Sequence, residues 1–224
     1  MRRLSYTAAV LVAMLSVSAV STVQPPAASI AEQVSACYVE LRSPDGTECY
    51  GSGTVITHDG RQLVLTAKHV ADYYYEAAEA ARYNTVTLQR GNDTWHGDVI
   101  AVSGNADLAV IRPRCVLPMP SMTFTGEEVI KPGDTVHYTS NPCGCHGLYE
   151  RSIIHATNYP HDGRDFAVIG GLIWFGTSGA GVCVERNGRP VLVGVAIAIL
   201  WRDGKAPGIA ESQPTITAFL KGIQ

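Results

Sequence analysis

The chain has 224 residues and a net charge of −3, with 46% hydrophobic and 17% charged residues. This composition is typical of a globular protein that is long enough to bury a sizeable core. The slightly acidic balance provides no extended basic surface, so we exclude nucleic acid as a partner.

The N-terminal segment has the features of an export signal. Arg2 and Arg3 precede an apolar run of roughly 13 residues, and small residues follow it. We predict a signal peptide over residues 1–23 and therefore an exported protein, either secreted or periplasmic. The alternative is an uncleaved membrane anchor over residues 4–23. That anchor would reach the required length of about 20 residues only by including several Ser and Thr, and only then would the chain contact a membrane.

From residue 34 onward, short β-branched runs alternate with turn residues, which predicts two sets of strands. The first set is Cys37–Arg42, Gly53–Thr57, Gln62–Ala67, Thr85–Gln89, Gly97–Ser103 and Leu108–Arg112. The second set is Thr135–Thr139, Arg151–Ala156, Phe166–Ile169, Gly181–Glu185 and Val191–Leu200. The Ala-rich and Glu-rich segment Asp72–Arg82 predicts a short helical insertion.

Two successive sets of about six short strands favour an all-β protein made of two packed antiparallel six-stranded β-barrels. The predicted domain spans residues 34–224, with a first barrel at about 37–112, a proline-rich linker at about 113–128, a second barrel at about 129–212 and a C-terminal helix at about 214–222. A cleft between two barrels suits an extended peptide, because strand edges on either side can pair with its backbone.

Six cysteines in a chain with a predicted export signal favour disulfides. Cys37 and Cys49 flank a turn sequence, so a hairpin would place them opposite each other, and we predict a bridge between them. Three pairings remain open for the other four, Cys115, Cys143, Cys145 and Cys183. A metal site over residues 143–146 is the weaker alternative, because zinc-binding cysteines are usually spaced by two or more residues.

A histidine, an aspartate and a serine stand in this order in three motifs beside strand-like runs. The motifs are Leu65-Thr66-Ala67-Lys68-His69-Val70, Asp107-Leu108-Ala109-Val110 and Gly176-Thr177-Ser178-Gly179. Nucleophilic acyl transfer needs these three side chains: serine attacks, histidine moves its proton, and aspartate orients the imidazole. The order excludes an α/β-hydrolase, in which the histidine follows the serine. A subtilisin order could use Asp107, His137 and Ser178, but it would demand more helical patterns than the chain has.

The chain resembles the trypsin-like serine protease superfamily and is most similar to its bacterial HtrA-type branch, without a PDZ module. Besides the three motifs, the resemblance includes Gly51-Ser52-Gly53-Thr54-Val55-Ile56, Gly133-Asp134-Thr135-Val136, Asn141-Pro142-Cys143-Gly144 and Gly194-Val195-Ala196-Ile197-Ala198. The chain departs from the family pattern at Ala180, where a second glycine is usual, and at Lys68. Thr177 replaces the aspartate that pairs with a new N-terminus in the trypsin type, so we expect no zymogen activation of that kind.

The resemblance implies a serine endopeptidase that works through an acyl-enzyme, with His69, Asp107 and Ser178 as the catalytic residues. The oxyanion donors would be the backbone N–H groups of Gly176 and Ser178. The expected substrate pocket is lined by Leu172, Ile173, Trp174, Phe175, Ala196, Ile197 and Ala198. Because this pocket lacks charge, we expect cleavage of peptide or protein substrates after small or medium apolar residues, with loose selectivity.

No cofactor and no metal is implied, and the sequence leaves the oligomeric state open. Two alternative functions remain. The chain could be a secreted β-barrel binding protein, which is a latent or pseudo-protease, or it could be an esterase.

Overall fold

The computed structural model describes residues 28–42, 50–73, 81–82, 85–161, 163–171, 173–199 and 207–223. The predicted signal peptide or anchor and the pocket residue Leu172 lie outside these ranges. Within them, no helix has the length and apolar character needed to cross a membrane.

The first half of the chain is made mainly of strands. Its elements are α1 (Ile30–Ala36), β1 (Tyr38–Arg42), β2 (Tyr50–His58), β3 (Arg61–Thr66), α2 (Lys68–Ala71), β4 (Asp72–Tyr73), β5 (Ala81–Arg82), β6 (Thr85–Arg90), β7 (Asp93–Val102) and β8 (Ala109–Pro113). The second half contains β9 (Thr135–Ser140), a 3₁₀ turn (Pro142–Gly144), β10 (Leu148–His161), β11 (Arg164–Ile169), β12 (Gly181–Arg186), β13 (Arg189–Ile199), β14 (Gly208–Ser212) and α3 (Gln213–Leu220).

These strands form two closed antiparallel barrels, which confirms the predicted fold. The strand order is β1-β2-β3-β8-β7-β6 in the first barrel and β10-β11-β14-β13-β12-β9 in the second. The connection between them passes through residues 114–134, where Met122 N–H donates to the carbonyl of Val55 and Leu192 N–H donates to the carbonyl of Thr123. The linker is therefore hydrogen-bonded to both barrels.

Alternation along the strands divides the apolar residues into three clusters. Val64 of β3 belongs to the cluster inside the first barrel, while its neighbours Leu63 and Leu65 belong to a cluster that joins the two barrels. The third cluster fills the second barrel. We call the joining cluster the inter-barrel layer; its buried members include Ile56, Leu63, Leu65, Leu108, Phe166, Cys183, Val195 and Ile197. Successive side chains of a strand point to opposite faces, so most strands contribute to a barrel interior and to this layer.

Strand β14, helix α1 and the strand pair β4–β5 differ from the sequence predictions. Strand β14 is absent from the prediction because its run Gly208–Ser212 is short and ends in polar residues. Helix α1 precedes the predicted start of the domain and is stabilised by a capping box between Ser29 and Glu32. The described ends of the predicted helical insertion form the paired strands β4 and β5 instead of a helix, and residues 74–80 lie outside the described ranges.

The predicted Cys37–Cys49 bridge is wrong for this structure, because Cys37 is a free, buried thiol; Cys49 lies outside the described residues. Cys37 ends α1 and does not belong to the hairpin strand, and its Sγ donates to the carbonyl of Gln33 at 3.4 Å. The other four cysteines, all described, are free as well: Cys115, Cys143 and Cys145 are exposed and Cys183 is buried.

Candidate active site

His69 and Asp107 are paired on the first barrel. His69 lies on the single-turn helix α2, directly after β3, and Asp107 lies in the loop that leads into β8. Asp107 Oδ2 is 2.7 Å from His69 Nδ1, and Asp107 Oδ1 accepts the His69 backbone N–H at 2.9 Å. The second bond fixes the carboxylate against the helical turn, so the aspartate holds both the backbone and the ring of the histidine.

The environment of Asp107 favours its charged form. Burial is the largest single influence and raises the pKa of the Asp107 carboxyl. The hydrogen bonds and charge of His69 act in the opposite direction and together outweigh burial, so the pKa of Asp107 lies below its ordinary value. A carboxylate that stays ionised can orient the imidazole and stabilise its protonated form.

A carboxylate from the second barrel supports this pair. Glu211 of β14 is almost fully buried, and its Oε1 accepts the backbone N–H of Asp107 at 2.7 Å. The same oxygen accepts a hydrogen bond from Arg164 Nη1, also at 2.7 Å. The Arg164 guanidinium in turn lies 4.6 Å above the ring of Phe166. The Asp107 loop is therefore held from across the barrel boundary.

An open pocket of about 340 Å³ lies beside the His69–Asp107 pair. Its lining includes Lys68, Asn105 and Arg164. The pocket leaves one side of the pair open to solvent and to any bound chain.

Ser178 lies on a tight turn of the second barrel, between β11 and β12. The Ala180 N–H donates to the carbonyl of Thr177 at 3.0 Å, and Gly179 between them has φ of 92°. A Cβ on Gly179 would lie 1.9 Å from the carbonyl oxygen of Ser52 and 2.2 Å from Thr66 Oγ1. Both the positive φ and the close approach of another backbone require glycine here.

The first barrel contacts the Ser178 turn directly. The Ser52 N–H donates to the carbonyl of Ser178 at 2.8 Å, and a Cβ on Gly51 would be 3.1 Å from that oxygen and 2.6 Å from the side chain of Val70, next to His69. The hydroxyl of Ser178 donates to the carbonyl of Ile197 at 3.3 Å, and no hydrogen bond joins it to His69.

The two predicted oxyanion donors lie on adjacent turns. Gly176 has φ of 90° in the turn closed by Thr177 N–H to the carbonyl of Trp174 at 2.9 Å. The carbonyl of Phe175 accepts the N–H of Cys143 at 2.8 Å. Among the described residues, neither the Gly176 nor the Ser178 N–H has a backbone acceptor. Two unpaired N–H groups from neighbouring turns are suitable for binding a developing negative charge.

The residues predicted for the substrate pocket differ in exposure. Phe175 is 73% exposed and Ala198 is also exposed, whereas Ile173, Ala196 and Ile197 are buried. Ile173 packs against Gly208, where an added Cβ would lie 2.3 Å from Ile173 Cγ1. Ile173 and Ala196 belong to the core of the second barrel, and Ile197 belongs to the inter-barrel layer.

Sequence reasoning missed the polar groups that hold the site in place. These are Ser52, Cys143 through its N–H, Glu211 and Arg164. Ser52 and Cys143 each had a sequence signal, because each stands inside a motif that carries the family resemblance. Glu211 and Arg164 had none, since the prediction had no β14 to place Glu211 on a strand.

The family model of the trypsin-like peptidase domain matches residues 51–195. A probable periplasmic serine endoprotease, DegP-like, from Buchnera aphidicola subsp. Baizongia pistaciae is 28% identical over 169 residues, which are 73% of this chain. The chain spans only 26% and 34% of the length of two curated relatives that it matches.

Solved structures share the fold at low sequence identity. The HtrA-type protease AlgW with a tripeptide has a TM-score of 0.67 at 21% identity, covering 84% of this chain and 59% of that one. The active form of the Rv3671c protease from M. tuberculosis has a TM-score of 0.64 at 23% identity, covering 85% and 82%.

Proposed function

The chain belongs to the family of trypsin-like peptidases, and on that premise we propose that it is a serine endopeptidase whose catalytic residues are His69, Asp107 and Ser178. One observation carries the proposal. A histidine–aspartate pair on one barrel lies beside the serine turn of the other, because a Cβ on Gly51 would contact both Val70, next to His69, and the carbonyl of Ser178. In that turn, the N–H groups of Gly176 and Ser178 have no backbone acceptor among the described residues. A barrel kept only for binding has no need of this combination.

In the proposed reaction, Ser178 Oγ attacks the carbonyl carbon of the scissile peptide bond. His69 Nε2 accepts the hydroxyl proton and later donates it to the leaving amine, which leaves an acyl-enzyme. Water then attacks the ester carbonyl with His69 again as the base, and the acid product and the Ser178 hydroxyl are released. Rotation of the Ser178 side chain away from the Ile197 carbonyl brings its hydroxyl to His69, since hydrogen bonds in such sites often tighten only with substrate bound.

The developing oxyanion would be bound by the N–H groups of Gly176 and Ser178. The carbonyls that precede them point elsewhere, because Phe175 O accepts from Cys143 and Thr177 O accepts from Ala180. In a planar trans peptide the N–H points opposite to the carbonyl. The N–H groups of Gly176 and Ser178 therefore point away from Cys143 and Ala180, which bind the two carbonyls. Loss of one donor of this kind commonly costs about 10²–10³ in rate.

We propose a preference for small or medium apolar side chains before the cleaved bond. The support is the lack of charge among the predicted lining residues that a substrate can reach: Phe175 and Ala198 are exposed and uncharged. Cleavage profiles over peptides that differ only at this residue test the preference, and faster cleavage after arginine than after valine or leucine would contradict it.

We also propose export to the periplasm, on the basis of the predicted signal and the DegP-like relative. Fractionation of cells that express the full chain tests this, and recovery in the cytoplasm would overturn it.

The decisive experiment for the activity is labelling of the full chain with a fluorophosphonate probe, alongside Ser178→Ala. We expect labelling of the parent alone, together with hydrolysis of a casein-type protein substrate. Absence of labelling in a folded parent would refute the proposed function and favour a binding role. If the chain hydrolyses esters and protein substrates do not compete with them, an esterase is favoured.

A further inference from the structure

Ser52 lies at the point where the first barrel meets the oxyanion turn. It stands on β2 between two glycines and is completely buried. Its backbone N–H already holds the carbonyl of Ser178. The Ser52 hydroxyl takes no part in that contact, so it has a separate role.

The Ser52 hydroxyl makes two hydrogen bonds, one as donor and one as acceptor. It donates to the carbonyl of Gly176 at 2.7 Å and accepts the N–H of Asn141 at 3.0 Å. Gly176 and Asn141 belong to two different loops of the second barrel. A single side chain of the first barrel therefore joins both loops.

These two loops are also hydrogen-bonded to each other. Asn141 begins the segment in which the Cys143 N–H holds the carbonyl of Phe175 at 2.8 Å. One side of the turn at residues 174–177 is thus fixed through Cys143, and the carbonyl of Gly176 is fixed by Ser52 itself. The carbonyl of Gly176 thus depends directly on the Ser52 hydroxyl, and the carbonyl of Phe175 depends on it through the segment that begins at Asn141.

We propose that Ser52 is a positioning residue that keeps the oxyanion hole formed by holding the Gly176 carbonyl and the Asn141 N–H with one hydroxyl. The inference rests on the proposed function, because it assigns the role within that same site. Ser52 does not touch the reacting atoms. It holds the carbonyl on one side of Gly176 directly, and it supports the Phe175 carbonyl, which shares a peptide plane with the Gly176 N–H, through the segment that begins at Asn141.

The Ser52 hydroxyl has this effect because a buried polar group without a hydrogen-bond partner costs free energy. Without the hydroxyl, the carbonyl of Gly176 and the N–H of Asn141 are both buried without a partner, which favours any rearrangement that finds one. The glycine at 176 permits such a rearrangement, because it tolerates many backbone conformations. The Gly176 N–H shares its peptide plane with the carbonyl of Phe175, which the Cys143 N–H holds. A shift of the segment at residues 141–145 that releases this carbonyl would let the plane rotate and would turn the Gly176 N–H away from the substrate carbonyl.

The test compares Ser52→Ala with Ser140→Ala in the full chain. Ser140 is an equally buried serine, but its hydroxyl has no hydrogen-bond partner, so its removal controls for the loss of a buried oxygen. Ser52→Cys is the second variant, because a thiol fills nearly the same space and is a weaker hydrogen-bond donor.

We expect Ser52→Ala to lower kcat by about 10- to 100-fold, somewhat less than outright loss of a donor, with KM within about twofold of the parent. Affinity for a peptide boronate, which needs the oxyanion hole, falls in parallel, while affinity for the product peptide is retained. Ser52→Cys resembles Ser52→Ala, and Ser140→Ala resembles the parent. Full kcat in Ser52→Cys would show that packing matters and the hydrogen bonds do not, which overturns the proposal.

Amide hydrogen exchange separates this inference from the proposed function. We expect faster exchange over residues 141–145 and 173–178 in Ser52→Ala and parent-like exchange in Ser140→Ala, whether or not the parent labels with fluorophosphonate. Unchanged exchange in both variants would overturn the role of Ser52 and leave the peptidase assignment intact. An unlabelled parent with faster exchange in Ser52→Ala would overturn the activity and leave the structural role of Ser52.

Discussion

The two barrels contribute to the site in different ways. On the first barrel, His69 and Asp107 are held mainly by each other, through two hydrogen bonds between a helical turn and a strand entry. On the second barrel, Ser178 and Gly176 lie on turns with positive φ at glycine, and those turns are held by groups from elsewhere, chiefly Ser52 and Cys143. The proton-transfer pair is thus joined within one barrel and supported by Glu211 from the other, whereas the turn of the nucleophile has Ser52 of the first barrel as a direct partner.

The largest expected effect concerns the first barrel. Asp107→Asn retains the shape of the side chain but favours the wrong imidazole tautomer, so we expect kcat to fall by about 10⁴-fold at neutral pH. Peptide hydrolysis measures it. The matched control is Asp98→Asn on β7, an exposed aspartate that forms an ion pair with Arg114, and it should leave kcat unchanged. Equal losses in both variants would contradict the assignment of Asp107.

The second effect concerns the serine turn. Gly179→Ala places a Cβ 1.9 Å from the Ser52 carbonyl, at a residue with φ of 92°, and we expect at least about 3 kcal/mol lost from the free energy of unfolding. Gly188→Ala is the control, with φ of 74° and nothing near its Cβ, and should cost only about 1 to 2 kcal/mol. Urea unfolding compares them. Equal losses of unfolding free energy in the two variants would show that the positive φ alone, and not the close approach of Ser52, requires glycine at position 179.

A third variant tests a contact from the second barrel to the His69–Asp107 pair. Glu211→Ala leaves the buried N–H of Asp107 unpaired and removes the partner of Arg164, so we expect about 2–3 kcal/mol of destabilisation. We also expect a lower kcat, since the Asp107 loop loses its support. Thermal unfolding and peptide hydrolysis measure both. The control is Glu185→Ala, which changes an exposed glutamate on β12. Equal kcat values for Glu211→Ala and this control would show that the His69–Asp107 pair does not depend on Glu211.

The smallest effect concerns the cysteines between the barrels. Burial raises the pKa of the Cys37 thiol to about 11, partly offset by the charge of Arg90, and burial also raises the pKa of Cys183. At pH 8 we expect iodoacetamide to modify Cys115, Cys143 and Cys145 quickly, and to modify Cys37 and Cys183 only in urea. Peptide mapping measures this, and rapid modification of Cys37 in the native state would contradict the burial.

The Cys37 thiol makes the stability of the fold depend on pH. A protonated thiol is uncharged, and folding raises the pKa of Cys37 above its ordinary value of 9.0. Its contribution to stability is therefore complete below pH 9 and is lost as the pH rises through about 11.

Much of this protein was determined by sequence alone. The two barrels follow from short alternating runs, because a half-buried strand needs an apolar residue at every second position. His69, Asp107 and Ser178 stood out because each lies in a local motif beside such a run. Strand β14 and helix α1 escaped, since a five-residue strand and a short capped helix carry little periodicity.

Only the tertiary structure decided what holds the site together. The Ser52–Gly176 contact spans 124 positions of the chain and the Asp107–Glu211 contact spans 104. No local pattern encodes such pairings, because they arise where two independently patterned barrels meet. The same packing buries Cys37 in the inter-barrel layer, where its thiol is free and the bridge expected from its turn-flanking position is absent. Local alternation thus determines the barrels and the motif residues, while contact between the barrels determines their geometry.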